Sequence, residues 1–190
     1  MKKLTALCLL FFTFSCVSYD NAVIGLNFSQ QGEYSRIGNG QRIAVFFSDT
    51  RKNKDIIGSK KLGDHLITIN SNQNLIDVAK SKVAGDLMQH GFAIGCFRSS
   101  NKSLEIKVVE FAYEAKRGLV GKSNVNVALE IIAKDKKSGK KYRTKQNISL
   151  DKNHFIMPLI ETDQETINLA LQESFGSVAK DQKLLDFLSK

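Results

Sequence analysis

Apolar residues recur along this chain with two different periods, and the changes of period mark out its elements. Ala22-Val23-Ile24-Gly25-Leu26 is a short apolar piece in polar, Gly-rich surroundings and reads as one candidate strand. Residues 42–47 form an apolar run of strand-formers and read as a buried strand. Residues 49–55 are a charged turn; residues 56–58 begin another extended piece, and residues 65–69 alternate like a strand. The period then lengthens. Ile76, Ala79, Val83 and Leu87 repeat at three- and four-residue spacing, with Leu75 and Val78 beside them, which predicts a helix. Ser71 or Asn72 can cap its start, and Gly91 can end it in a left-handed cap.

Strand character returns in residues 92–97, where Cys96 reads as a small buried hydrophobe. Leu104, Ile106 and Val108 alternate, and Phe111 and Tyr113 continue after a phase shift that predicts a bulge. Val125, Val127, Leu129, Ile131 and Ala133 give the cleanest period of two. Ser138-Gly139 is the turn, and Tyr142, Thr144, Gln146 and Ile148 return on the partner strand. Thr162-Asp163-Gln164-Glu165 reads as a capping box opening the last helix, whose stripe is Ile167, Leu171, Phe175 and Val178. Leu184, Leu185, Phe187 and Leu188 form an apolar closing segment. The expected fold is α+β: an antiparallel or mixed sheet of about five to six strands, covered on one face by two main helices.

The first residues do not belong to that pattern. Lys2 and Lys3 precede an uncharged apolar stretch, residues 4–14. Eleven residues are too few to span a bilayer core of about 30 Å but suit a signal-peptide core. Small Ser15 then precedes Cys16, as in a bacterial lipoprotein signal, where the cysteine sulfur receives the lipid. Thr13 and Phe14 depart from the usual pattern, and an ordinary signal cut after Ser18 is the alternative. Val17, in place of an Asp, leans toward the outer membrane. The chain therefore divides into residues 1–15 as signal peptide, residues 16–41 as a lipid-anchored tether with a candidate first strand, and residues 42–190 as one α+β periplasmic domain.

Charge adds one surface feature. The chain carries a net +9; without Lys2 and Lys3 it keeps 26 basic against 19 acidic residues. Lys134, Lys136, Lys137, Lys140, Lys141, Arg143 and Lys145 crowd the hairpin against Asp135 alone, a candidate site for an anionic surface or acidic partner. The alternative is a solvated hairpin whose lysines discourage edge pairing. Aromatic interleaving for nucleic acid is missing apart from Tyr142, so no nucleic-acid partner is expected. Asp49 and Arg51 are a candidate loop site, against the plainer reading of a self-bonded turn. His65, His90 and His154 lack metal-ligand spacing, and no nucleophile elbow or phosphate loop is present. No metal, cofactor or catalytic residue is expected. With Cys16 lipidated, Cys96 is left alone and the domain has no disulfide framework.

From about residue 42 to 188 a series of features follows in order: Val45-Phe46-Phe47-Ser48-Asp49-Thr50-Arg51, Ile57-Gly58, the helix end Leu87-Met88-Gln89-His90-Gly91-Phe92, residues 104–113, the long hairpin, and the tail Asp181-Gln182-Lys183-Leu184-Leu185-Asp186-Phe187-Leu188. In that order and spacing the chain resembles the YajG-like family of bacterial lipoproteins. The resemblance implies a periplasmic α+β domain anchored to the outer membrane, in a family with no established enzymatic activity. The expected function is a non-catalytic interaction or accessory module of a larger envelope assembly for transport, secretion or cell-wall work. It would be held to the membrane through Cys16 and dock on an envelope protein partner. The alternative is a periplasmic carrier of a lipid or small ligand; a hydrolase is a third, weaker reading.

Overall fold

A computed structural model describes residues 21–27, 34–116, 121–155 and 159–190. Residues 1–15, read above as a signal peptide, and Cys16 and Val17 lie outside the described residues. Among the described residues eight strands form one mixed sheet, with three helices, so the fold is α+β with more strands than expected. The count rises because short or charged strands leave weak signals. β1 (Asn21–Ile24) has four residues and β5 (Ala93–Ile94) two. β3 (Ile56–Leu62) runs on through Lys60 and Lys61, which break its apolar pattern. The other strands are β2 (Arg42–Asp49), β4 (His65–Ser71), β6 (Lys102–Lys116), β7 (Gly121–Asp135) and β8 (Lys141–His154). The helices are α1 (Leu75–Gln89), α2 (Ile160–Lys180) and α3 (Gln182–Ser189).

β6 is the spine. One edge pairs β7 along its whole length, and β7 in turn pairs β8, both antiparallel. Its other edge is shared end to end. β2 runs parallel to residues 102–108, and β3 runs parallel to residues 113–116. The change of partner follows the predicted bulge, in which Val109 is the extra residue between Val108 and Glu110. β4 and β1 extend the sheet beyond β3, and β5 extends it beyond β2. β1 falls within the stretch read as a tether; its pairing with β4 makes it part of the sheet.

Period-two patterning sends Leu104, Ile106, Val108, Phe111 and Tyr113 of β6, and the odd-numbered residues of β7, toward the helices. They meet Ala79, Val83 and Leu87 of α1, Ile167, Leu171 and Phe175 of α2, and Leu184 and Leu188 of α3 in one continuous apolar cluster. Burying such a side chain stabilises the fold by roughly 1.5–3 kcal/mol. The helix caps correct the sequence reading. Asn74, not Ser71 or Asn72, caps α1, its Oδ1 accepting the Ile76 amide at 2.8 Å. Gly91, at φ +85°, ends α1 as expected: its N–H bonds Met88 O and the Phe92 N–H bonds Leu87 O. α2 starts at Ile160, so Thr162 lies inside the helix and forms no capping box. Asp181 caps α3 by accepting the Leu184 amide at 3.1 Å.

Candidate functional site

The basic hairpin tip stands at one end of the long strands. Asp135 spends its carboxylate inside the turn. Oδ2 accepts the Ser138 hydroxyl at 2.9 Å and Oδ1 accepts the Lys137 amide at 2.9 Å. These bonds hold the carboxyl below its usual range, the Ser138 hydroxyl contributing most. Gly139 takes the left-handed conformation that the turn requires, φ +70°. Asp135 thus stays ionised, with its oxygens committed to the turn rather than to a lysine ammonium. Lys134 and Lys141 stand opposite each other, as do Ile132 and Arg143, then Glu130 and Lys145, on the face away from the helices. Arg143 pairs with Glu130, whose carboxyl it holds low by hydrogen bonding. Among the described residues no carboxylate lies within ion-pair distance of Lys134, Lys137, Lys140, Lys141 or Lys145.

The seventh residue of that group, Lys136, is held differently. Its ammonium bonds the Phe97 carbonyl and sits 3.5 Å from the centre of the Phe97 ring. Phe97 meets Phe46 edge to face at 5.7 Å, and the two are 53% and 42% exposed. The tip thus joins cations to an exposed aromatic pair. The sequence reading missed this, though strand parity held the signal: with Ile43, Val45 and Phe47 inward, Phe46 must face out. Tyr142, the aromatic that reading did see, lies on the other face, its hydroxyl bonded to Asp181 at 2.7 Å. Burial and that carboxylate push its pKa up to about 12. Cys96 is exposed, not buried, because the loop after β5 leaves the sheet at Gly95; its thiol lies 3.2 Å from the Ser99 hydroxyl.

Asp49 and Arg51 come together as a buried pair. The guanidinium bonds both carboxylate oxygens, at 3.0 Å and 2.7 Å, and reaches the carbonyls of Lys54 (2.8 Å) and Ile56 (3.3 Å). It lies 5.5 Å from the centre of the Phe111 ring. Burial works to raise the Asp49 pKa, but the Arg51 hydrogen bonds and charge outweigh it and hold it low. The pair borders a cleft of about 490 Å³ between the end of β2 and the start of α1. The donors that could serve a ligand there instead fold the 50–56 loop onto the sheet.

Two Lys–Asp–Tyr groups were not legible as sites. Lys60 Nζ is 2.6 Å from Asp163 Oδ2, and the Tyr113 hydroxyl bonds the other oxygen; all three are buried. Lys82 Nζ is 2.6 Å from Asp86 Oδ2, and the Tyr34 hydroxyl donates to Asp86 Oδ1 at 3.0 Å. Lysine, carboxylate and phenol are catalytic residue types, but the first group is sealed in the core and both are satisfied internally, which is what buried polar groups require. His90 is buried at the C-cap of α1, its Nδ1 against the backbone and hydroxyl of Ser35. His154 Nε2 is 2.8 Å from the Ser123 hydroxyl. Among the described residues no group of three His, Cys, Asp or Glu side chains could hold a metal, and no helix is long and apolar enough to cross a membrane.

The fold recurs in solved structures. Protein XCC0632 from Xanthomonas campestris, of the family DUF330, is 10% identical with a TM-score of 0.50, the match covering 87% of this chain and 93% of that one. A second protein, described only as uncharacterized, gives a TM-score of 0.55 at 8% identity over 84% of this chain and 99% of its own. A minor lipoprotein from Acinetobacter baumannii aligns at 0.44 and 9% identity over 74% and 89%. No curated protein matches the sequence. The model of an uncharacterized lipoprotein family matches residues 31–189, and the chain belongs to that family, the YajG-like group its sequence resembles.

Proposed function

We propose that this protein is an envelope lipoprotein, anchored to the outer membrane through Cys16, whose periplasmic domain is a non-catalytic docking module of a larger envelope assembly. The observation that carries the reading is the pairing of a filled interior with an unsatisfied surface. Among the described residues the space between sheet and helices holds one continuous apolar cluster, and the cleft beside Asp49 and Arg51 lies at its edge. The polar groups that resemble catalytic ones are consumed within the fold. What faces outward is the exposed Phe46–Phe97 pair, rimmed by cations without carboxylate partners. Asn21 enters the sheet on the strand row of Glu114 and Asn124, whereas the tip follows Lys134, ten residues further along β7. At about 3.3 Å per residue the tip is about 33 Å from the tether along the strands, the distal end of an anchored domain.

Two experiments test this. Labelled fatty acid should be incorporated by the chain and lost in Cys16→Ser; a label that persists overturns the anchor. A photo-crosslinking side chain at Lys137 or Lys140 should give a discrete envelope-protein adduct in cells, and the absence of one overturns docking through the tip.

A further inference from the structure

We infer that the outer edge of β8 accepts an acidic, extended segment of a partner protein as a ninth strand, steered by Lys141 and Lys145. This rests on the docking reading above and gives its partner a chemistry.

β7 covers the inner edge of β8 from Lys134–Lys141 to Gly121–His154 without a register shift. The Asp135 N–H bonds the Lys140 carbonyl at 3.0 Å, so that pair is a hydrogen-bonded one. Bonded and non-bonded pairs alternate in an antiparallel ladder. Lys141, Arg143, Lys145, Asn147 and the following odd positions therefore turn their N–H and C=O groups away from β7. No described strand lies on that side. The free edge is 14 residues long, where a typical strand has about 5–6 and native edges are kept short or covered.

The same odd positions carry the exposed cations. Lys141 and Lys145 thus each offer a peptide donor, a peptide acceptor and a positive charge together, while Arg143 between them offers the peptide groups and shares its charge with Glu130. An added strand with Glu or Asp at alternate positions satisfies all three. It also relieves Lys134 and Lys141, two like charges facing each other across the ladder. A second copy of β8 fits worse, since it brings the same cations and only Asp151 as an acid. A lipid surface would meet the charges but leave the backbone groups unpaired.

The probe is a labelled nine-residue peptide alternating Glu with Val and Thr, titrated into the full-length protein in detergent and followed by fluorescence polarisation. The peptide should bind, and methylating its backbone nitrogens at alternate residues should abolish binding. Lys141→Glu combined with Lys145→Glu should weaken it by at least about tenfold. Asn147→Pro, which removes one outward N–H on an edge that tolerates proline, should weaken it similarly. Each variant is checked for an unchanged circular dichroism spectrum. Equal binding of the methylated peptide, unchanged binding by the folded charge reversal, exclusive binding to anionic vesicles, or an edge already filled by a second copy would each overturn strand addition. Peptide binding lost while the tip still crosslinks in cells overturns strand addition alone. Loss of both overturns docking too.

Discussion

The two Lys–Asp–Tyr groups have the same chemistry and the same buried 2.6 Å ion pair, yet they are built differently. Lys82 and Asp86 are one helical turn apart, so the geometry of α1 sets their distance before any tertiary contact forms. Lys60 and Asp163 are 103 residues apart, and nothing local brings them together. Their pair exists only when β3, β6 and α2 are all docked. Gly58 sits beside it, where any side chain would collide with the Tyr113 carbonyl, so β3 can approach β6 only as glycine allows. The lesson is that identical contacts can be a property of one helix or a condition on the whole fold.

Breaking each group should expose that difference. Asp163→Asn should cost about 3–5 kcal/mol in denaturant unfolding, the range for stranding a buried partner charge. Asp86→Asn should cost less, about 1–3 kcal/mol, because the long Lys82 stem can carry its ammonium toward water. Equal losses would break the comparison. Tyr113→Phe should cost about 1–3 kcal/mol and Tyr34→Phe at most about 1 kcal/mol, since Tyr34 is only partly buried.

Alkaline titration sharpens the contrast. Burial first, then the Asp163 bond and charge, push the Tyr113 hydroxyl well above its ordinary value; burial first, then Asp86, raise that of Tyr34. A raised pKa means that the folded state holds the protonated phenol. The stabilisation is complete below the unfolded value of about 10 and is lost as pH rises above it. Thermal midpoints measured from pH 9 to 11 should therefore fall in the wild type, and fall less steeply in Tyr113→Phe. The smallest effect belongs to Tyr34→Phe. The amides of Gly38 and Gly40, bonded to the carbonyls of His90 and Gly91, should exchange faster in that variant while those of β7 do not change.

Legibility followed the range of the cause. The α1 stripe, Gly91, the β7–β8 hairpin and the bulge at Val109 are local patterns, and the residues announced them. Asp163 looks like part of a cap because nothing local shows that α2 begins earlier, at Ile160, and its true partner lies 103 positions away on a strand whose lysine looks like a solvent residue. Phe97 was read as part of a strand because its contact with Lys136 spans 39 positions. The lysines of the tip were visible from composition. The aromatic pair beside them and the direction of the β8 backbone groups were not.

The shared spine also sets a schedule. A chain that emerges N-terminus first presents Arg42–Asp49 early, yet both neighbours of β2 are made later: β5 at Ala93 and β6 at Lys102. An apolar strand must wait while roughly sixty further residues appear, the situation in which unpaired edges misassociate. Parallel pairings closed over such separations form slowly. The β6–β7–β8 hairpins can form among themselves, so assembly should begin near the C-terminal half and gather the older strands onto it. A protein built this way depends on whatever shields Ile43–Phe47 until its spine arrives.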